Sequence, residues 1–157
     1  MKKVLVAGGG GFIGGWLVKE LLSKGYKVSA IDIKPLSEWY QVFPEANNAS
    51  KDLSLLENCT QFTVGIDEIY NLAADMGGMG FIENHKAACM LTVLINTHLL
   101  MAAKANSVSK YFFSSSACVY NAEKQSKSLI ETRSESEFNE FEPRLKSAKN
   151  RLILVTL

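Results

Sequence analysis

Apolar runs and helical spacings alternate along the first two-thirds of the chain. Lys3-Val4-Leu5-Val6-Ala7 is a short β-branched run that ends in four glycines, the pattern of a buried parallel strand entering a tight turn. From Phe12 to Lys24 the positions Phe12, Ile13, Trp16, Leu17, Leu21 and Leu22 recur at helical spacing, and Gly25 stops the helix. Lys27 to Asp32 predicts a second strand. Residues 33–50 form a polar connection with Pro35, Pro44 and Asn47-Asn48, in which a short helix through Trp39 and Tyr40 and a third strand just before Asp52 are weakly written. A short helix is expected within Leu53 to Thr63, and a strand from Glu68 to Ala74. A glycine-methionine loop covers Asp75 to Gly80. A long helix runs from about Asn84 to Ala105 with no proline or glycine to break it, and Lys110 to Ser115 is an aromatic-rich strand. Strands alternating with helices predict an α/β protein with a doubly wound parallel sheet.

After Tyr120 the pattern fades. Residues 121–151 are polar, rich in Glu, Lys and Ser, and poorly periodic, and the Glu- and Ser-rich run at 131–142 reads as a solvated face. Leu152 to Leu157 is again apolar, either a last strand or a helix. The expected organisation is a nucleotide-binding domain over 1–121, with 122–157 a divergent polar segment and apolar end of the same domain.

Composition narrows the function classes. At 157 residues the chain is one domain's length. A formal charge of +1 gives no basic field for nucleic acid. No apolar stretch reaches the ~18 residues of a membrane span. The lysines and apolar run at the N-terminus run into Gly8 to Gly11, which spoils a signal-peptide reading, so a cytoplasmic location with reduced thiols is expected. Three scattered cysteines (Cys59, Cys89, Cys118) suggest no disulfide framework, and two histidines (His85, His98) argue against a zinc site. Cys59 and Cys89 read as structural.

The strongest chemical signal is Gly8, Gly11 and Gly14, placed between a strand and a helix. Side chains there would block the backbone from approaching a pyrophosphate, and the helix N-terminus favours the anion. Gly14 lets the helix pack closely on the first strand. Asp32, at the tip of the second strand, completes the dinucleotide fingerprint. Its carboxylate suits ribose hydroxyls and repels a 2′-phosphate, so NAD is expected over NADP. Lys34 is a mild counter-signal, and a plain strand end is the bland alternative for Asp32.

Ala7-Gly8-Gly9-Gly10-Gly11-Phe12-Ile13-Gly14 resembles the nucleotide loop of the extended short-chain dehydrogenase/reductase superfamily, the NAD-dependent nucleotide-sugar epimerases and dehydratases. Asp52-Leu53, Asn71-Leu72-Ala73-Ala74 and Ser114-Ser115-Ser116-Ala117-Cys118-Val119-Tyr120 resemble three further stretches of that family. The glycine-methionine loop after Ala74, together with Ser116-Ala117-Cys118, is most similar to the branch that epimerises a GDP-linked hexose at C3 and C5. The resemblance implies a Rossmann-type sheet and an NAD cofactor held by Gly8, Gly11, Phe12, Ile13, Gly14, Asp32, Asp52, Leu53, Leu72, Ala73 and Ala74. It implies a GDP-mannose-like sugar nucleotide bound at Gly77, Ser116, Ala117 and Cys118, with two catalytic residues on this chain: Ser116 hydrogen-bonding the reacting sugar oxygen and Cys118 as one acid/base group. In that chemistry NAD takes a hydride from C4, the ketone acidifies C3 and C5, an acid/base pair inverts them, and the hydride returns. Many relatives pair through the long helix, so a homodimer there is also implied.

The chain departs from the family at the Tyr-x-x-x-Lys pair. No tyrosine follows Tyr120, and counting from Glu142-Pro143 puts Ser147 and Arg151 in the two places. An unassisted serine hydroxyl is far less acidic than a phenol of pKa ~10. Thr92 stands where relatives carry an asparagine on the long helix. The resemblance fades after about residue 121, and the family's sugar-nucleotide domain and second acid/base group would lie past Leu157. The expectation is therefore a truncated fold without the substrate domain, and an incomplete or inactive epimerase. The alternatives are a non-catalytic NAD-binding sensor or partner-binding module, and a flavin- or NADP-linked reductase, against which Asp32 and the glycine-methionine loop speak. Cys118 retains a bland reading as a small buried hydrophobe, and Met76 and Met79 as gap-fillers.

Overall fold

The computed structural model describes residues 1–74, 86–115 and 151–156, with 86–89, 115 and 151–156 described by backbone alone. In chain order the elements are β1 (Lys3–Ala7), α1 (Phe12–Ser23), β2 (Lys27–Asp32), a 3₁₀ turn (Leu36–Glu38), β3 (Asn47–Ser50), α2 (Leu56–Thr63), β4 (Glu68–Asn71), α3 (Lys86–Ala105), β5 (Lys110–Ser115) and β6 (Arg151–Thr156). They form one sheet of order β3-β2-β1-β4-β5-β6, parallel throughout. This is the doubly wound arrangement, with its switch point between β1 and β4. β2 follows β1 on one side, and the chain then crosses to place β4 on the other.

β1 is buried on both faces, so its side chains divide between two apolar layers. Val4 and Val6 pack with Val18, Leu21, Val28, Ala30 and Trp39 on the α1 side. Leu5 and Ala7 pack with Ile31, Cys59, Ile69, Leu99, Ala103 and Tyr111 on the side of α2 and α3. The apolar positions of α3 divide as well. Leu99 is fully buried, whereas Met90, Leu91, Val93, Leu94 and Met101 are exposed.

Three element limits differ from the sequence expectation for local reasons. α1 ends at Ser23 because Gly25 takes φ +78°, and the amides of Gly25 and Tyr26 bond back to Leu22 and Leu21. That 6→1 and 5→2 closure satisfies the last carbonyls. β4 ends at Asn71 rather than Ala74, because its partner β1 turns away at Gly8 and the Asn71 side chain takes the Ala73 amide (3.2 Å). The helical turn in the 33–50 connection falls at Leu36–Glu38, just before Trp39. The Trp39 indole N–H donates to the Lys34 carbonyl (2.9 Å), which pins that turn. β3 is an edge strand of four polar or small residues, held by Asn48 Nδ2 to the carbonyls of Phe43 and Ala46. The terminal apolar run is a strand, pairing with β5 from Lys110↔Arg151 to Ser115↔Thr156.

At the N-terminal ends of the strands, Glu68 ties together the starts of β1, β4 and β5. Its carboxylate lies 2.6 Å from Lys2 Nζ and 3.4 Å from Lys110 Nζ, and only 5% of its side chain is exposed. Burial alone would raise its pKa. The hydrogen bond from Lys2 and the Lys110 charge outweigh burial and hold it below the ordinary carboxylate value. A depressed folded pKa means the contribution is complete above the unfolded pKa and is lost as pH falls through the folded one. Glu68→Gln is expected to cost about 2 kcal/mol near neutrality. In urea unfolding, the difference between the two proteins should shrink as pH falls below the ordinary glutamate value of about 4.3. A difference that persists unchanged at pH 3 contradicts this account.

Candidate cofactor site

The C-terminal edge of the sheet carries the glycine loop after β1, Asp32 after β2, Asp52 after β3 and the Leu72–Ala74 stretch after β4. In such sheets, ligands sit at the carboxyl ends of the strands, at the switch point. The loop is fixed from below. The amides of Gly8 and Gly9 both donate to the Ile31 carbonyl at the end of β2 (2.7 and 3.0 Å). Gly8 has φ +81°, and a Cβ there would stand 2.8 Å from the Leu72 carbonyl carbon. A Cβ at Gly14 would stand 2.1 Å from the Gly8 oxygen, a contact between backbones that no rotamer relieves.

Gly11 is different. Its added Cβ would meet nothing nearer than the Gly8 oxygen at 3.4 Å, an ordinary contact. It is the N-cap of α1, with no side-chain cap and no acidic residue in the first turn. The amides of that turn and the positive end of the helix therefore suit an anion. The space over Gly11 that a Cβ would fill is thus open to such an anion. Phe12 and Ile13, in the same turn, are 62% and 50% exposed, and Phe12 meets the Tyr40 ring edge-on at 4.8 Å.

The half-buried Asp32 carboxylate reaches back over the loop. One oxygen accepts the Gly10 amide and the other the Lys34 amide, each at 3.1 Å. Each oxygen keeps a lone-pair direction for a further donor. Asp32 thus shapes the loop and remains able to take a hydroxyl. Asp52 turns the chain into α2: its Oδ1 accepts the Ser54 amide (2.8 Å) and its carbonyl accepts Asn58 Nδ2 (2.7 Å). The Leu53 side chain is 4% exposed and belongs to the core, so only its backbone is available to a ligand. Leu72 and Ala73 are half-buried and Ala74 is exposed.

Gly77, Ser116, Ala117, Cys118 and Ser147 lie outside the described residues, as do Met76, Met79 and His85. Arg151 opens β6. Ser114 stands at the end of β5 with its hydroxyl 3.5 Å from the Asn71 carbonyl. Cys59 is fully buried with its thiol on the Leu53 carbonyl (3.1 Å), and burial pushes its pKa up to about 11, so it is an unreactive core group as expected.

Sequence reasoning missed several residues that build the site. Trp39 packs its ring where a Cβ of Gly10 would be (2.7 Å), and the Tyr40 amide bonds the Gly10 carbonyl (2.9 Å). His98 Nδ1 lies 2.8 Å from the Ser54 carbonyl, tying α3 to the Asp52 turn. Asn71, Tyr111 and Asn96 form a buried polar group under Leu72–Ala74. A polar residue ending an apolar strand was the available signal for Asn71. Among the described residues no helix is long and apolar enough to cross a membrane, and no group of three His, Cys, Asp or Glu side chains is placed to hold a metal.

With a glycine loop at the switch point of a 3-2-1-4-5-6 sheet, the chain matches the NAD dependent epimerase/dehydratase family over residues 4–144, and it belongs to that family. Among individual proteins it is similar to plant GDP-mannose 3,5-epimerases. It is 38% identical to GDP-mannose 3,5-epimerase 1 of Oryza sativa subsp. japonica over 124 residues, 78% of this chain and 33% of that protein. It is 35% identical to GDP-mannose 3,5-epimerase of Arabidopsis thaliana over 142 residues, 90% of this chain and 38% of that one. The chain thus spans little more than a third of these relatives. In fold it resembles the UDP-Glc/GlcNAc 4-epimerase from Campylobacter jejuni (TM-score 0.76, 20% identity, 99% of this chain and 53% of that one). It also resembles MoeE5, solved in complex with UDP-glucuronic acid and NAD (TM-score 0.66, 30% identity, 75% and 38%).

Proposed function

We propose that this chain binds NAD at the C-terminal edge of its sheet and recognises a sugar nucleotide of the GDP-mannose type. The carrying observation is one juxtaposition: the uncapped first turn of α1, open at Gly11, beside the Asp32 carboxylate. Gly8 and Gly14 hold the loop in shape, and the amides at Phe12 and Ile13 take the pyrophosphate. Asp32 takes the adenosine ribose hydroxyls. The free oxygen of Asp52 and the Leu53 backbone meet the adenine, and Leu72, Ala73 and Ala74 line the middle of the cofactor. The family membership and the NAD in the MoeE5 complex support the choice of cofactor.

When bound, NAD supplies the hydride acceptor and donor at C4 of the sugar. The sugar-nucleotide reading is supported by the 35–38% identity with GDP-mannose 3,5-epimerases. On that reading Gly77 and Ala117 leave room for the hexose, Ser116 holds its reacting oxygen and Cys118 moves a proton at the inverted carbon. A thiol can do so once its pKa is brought toward the working pH.

Counting on from Glu142-Pro143, Ser147 and Arg151 fall where the family carries Tyr and Lys, and this favours a second reading: a non-catalytic NAD-binding module that senses the cofactor or engages a partner. On that count a serine hydroxyl would stand where the phenol acts at C4, far less acidic, and Arg151 would keep the positive charge with a different geometry. Incubation with NAD and GDP-mannose in deuterated water separates the two. No deuterium is expected at C3 or C5 of the sugar. Robust incorporation would overturn the non-catalytic reading and establish proton transfer by this chain.

A further inference from the structure

The wall of the groove on the β4 side is backbone, and it touches the glycine loop. A Cβ at Gly8 would lie 2.8 Å from the Leu72 carbonyl carbon and 2.9 Å from the Ala73 nitrogen, and the Leu72 amide bonds the Ala7 carbonyl (2.9 Å). Where this stretch sits therefore sets how the loop can sit.

Beneath it lies the buried polar group. Asn71 is fully buried, Tyr111 is 3% exposed and Asn96 is half-buried. Asn71 Nδ2 donates to the Tyr111 oxygen (3.0 Å) and to Asn96 Oδ1 (3.3 Å), and the Tyr111 hydroxyl donates to Asn96 Oδ1 (2.9 Å). Asn71 Oδ1 accepts the Ala73 amide (3.2 Å).

The directions of these bonds are forced. A backbone N–H only donates, so Asn71 must turn its oxygen to Ala73 and its NH₂ inward. The phenol then accepts from Asn71, which leaves its own proton for Asn96. Burial raises the Tyr111 phenol above its ordinary value, so that proton stays in place. With Asn71 flipped, the Ala73 N–H would face another donor, and Asn71 Oδ1 would face Asn96 Oδ1, acceptor against acceptor. The three residues come from β4, β5 and α3, so one orientation of one amide is locked by three elements.

We propose that Asn71, Tyr111 and Asn96 are positioning residues for the dinucleotide: together they fix the Leu72–Ala73 backbone, and through it the seat of Gly8. The proposal rests on the NAD reading above. Removing one member leaves the others buried and short of a partner, which loosens the amide they orient.

Tyr111→Phe keeps the ring and removes the hydroxyl. If that variant does not fold, Asn96→Ala shortens a half-buried helical side chain instead. Calorimetric titration with NAD and with adenosine, and amide hydrogen exchange at Ala73, are compared with wild type. Adenosine carries no phosphate for the glycine loop and would seat against Asp32 and Asp52. The expected result is NAD affinity lowered about tenfold, adenosine affinity within about twofold, and faster exchange at Ala73. NAD affinity equal to wild type, a parallel loss of NAD and adenosine, or unchanged exchange at Ala73 overturns the proposal. A wild-type chain that binds neither ligand overturns the cofactor reading itself, whereas the exchange result does not depend on it.

Discussion

Gly14→Ala is expected to destabilise the fold by about 3 kcal/mol, the upper part of the range for forced overpacking. The added Cβ would fall 2.1 Å from the Gly8 carbonyl oxygen. Neither partner can rotate away, because both are backbone. Gly8 cannot yield either, because it is pressed between Ile31, whose carbonyl takes its amide, and Leu72. The melting temperature should fall by roughly 10 °C. Gly11→Ala is the matched control. Its Cβ meets only an ordinary 3.4 Å contact, and the loss of N-cap preference is offset by reduced freedom in the unfolded chain. Stability should stay within about 1 kcal/mol of wild type, while NAD affinity falls by about tenfold or more as the methyl crowds the pyrophosphate. A Gly14→Ala protein as stable as wild type would show that α1 does not pack on the loop this closely. A Gly11→Ala protein that binds NAD normally would show that the phosphates sit elsewhere.

The second large effect is expected at Asp32. A carboxylate accepting hydroxyl protons contributes about 1.5–3 kcal/mol, so Asp32→Asn should lower NAD affinity between about tenfold and a hundredfold. Asparagine is preferred to alanine for this test because one carboxamide oxygen still accepts a backbone amide and keeps part of the tether to Gly10 or Lys34. With the negative charge gone, a 2′-phosphate is no longer repelled, and Lys34 stands two residues away. The preference for NAD over NADP should shrink by about tenfold or more. An unchanged ratio of the two affinities would show that Asp32 only shapes the loop.

The sheet was legible because its strands are buried on both faces and stand out as apolar runs. Lys3–Ala7, Lys27–Asp32 and Lys110–Ser115 match expectation at both ends. β3 was hard to see for the opposite reason. Asn47 to Ser50 carries no apolar stripe, and the strand exists because β2 offers it an edge and Asn48 anchors the preceding turn. The glycine loop and Asp32 could be read because each requires a residue type at a fixed place. The parts that support them could not. Trp39 against Gly10, His98 on the Asp52 turn and the Asn71–Tyr111–Asn96 group join residues from 15 to 44 positions apart. No periodicity encodes such pairings. Asp32 also proved to hold two loop amides of its own, so its structural and ligand roles are not alternatives.

The most direct test of the cofactor reading is calorimetric titration of the wild-type chain with NAD and NADP under identical buffer and salt. Saturable binding of NAD, tighter than that of NADP, is the predicted result. Tighter binding of NADP, or no binding of either, would contradict it.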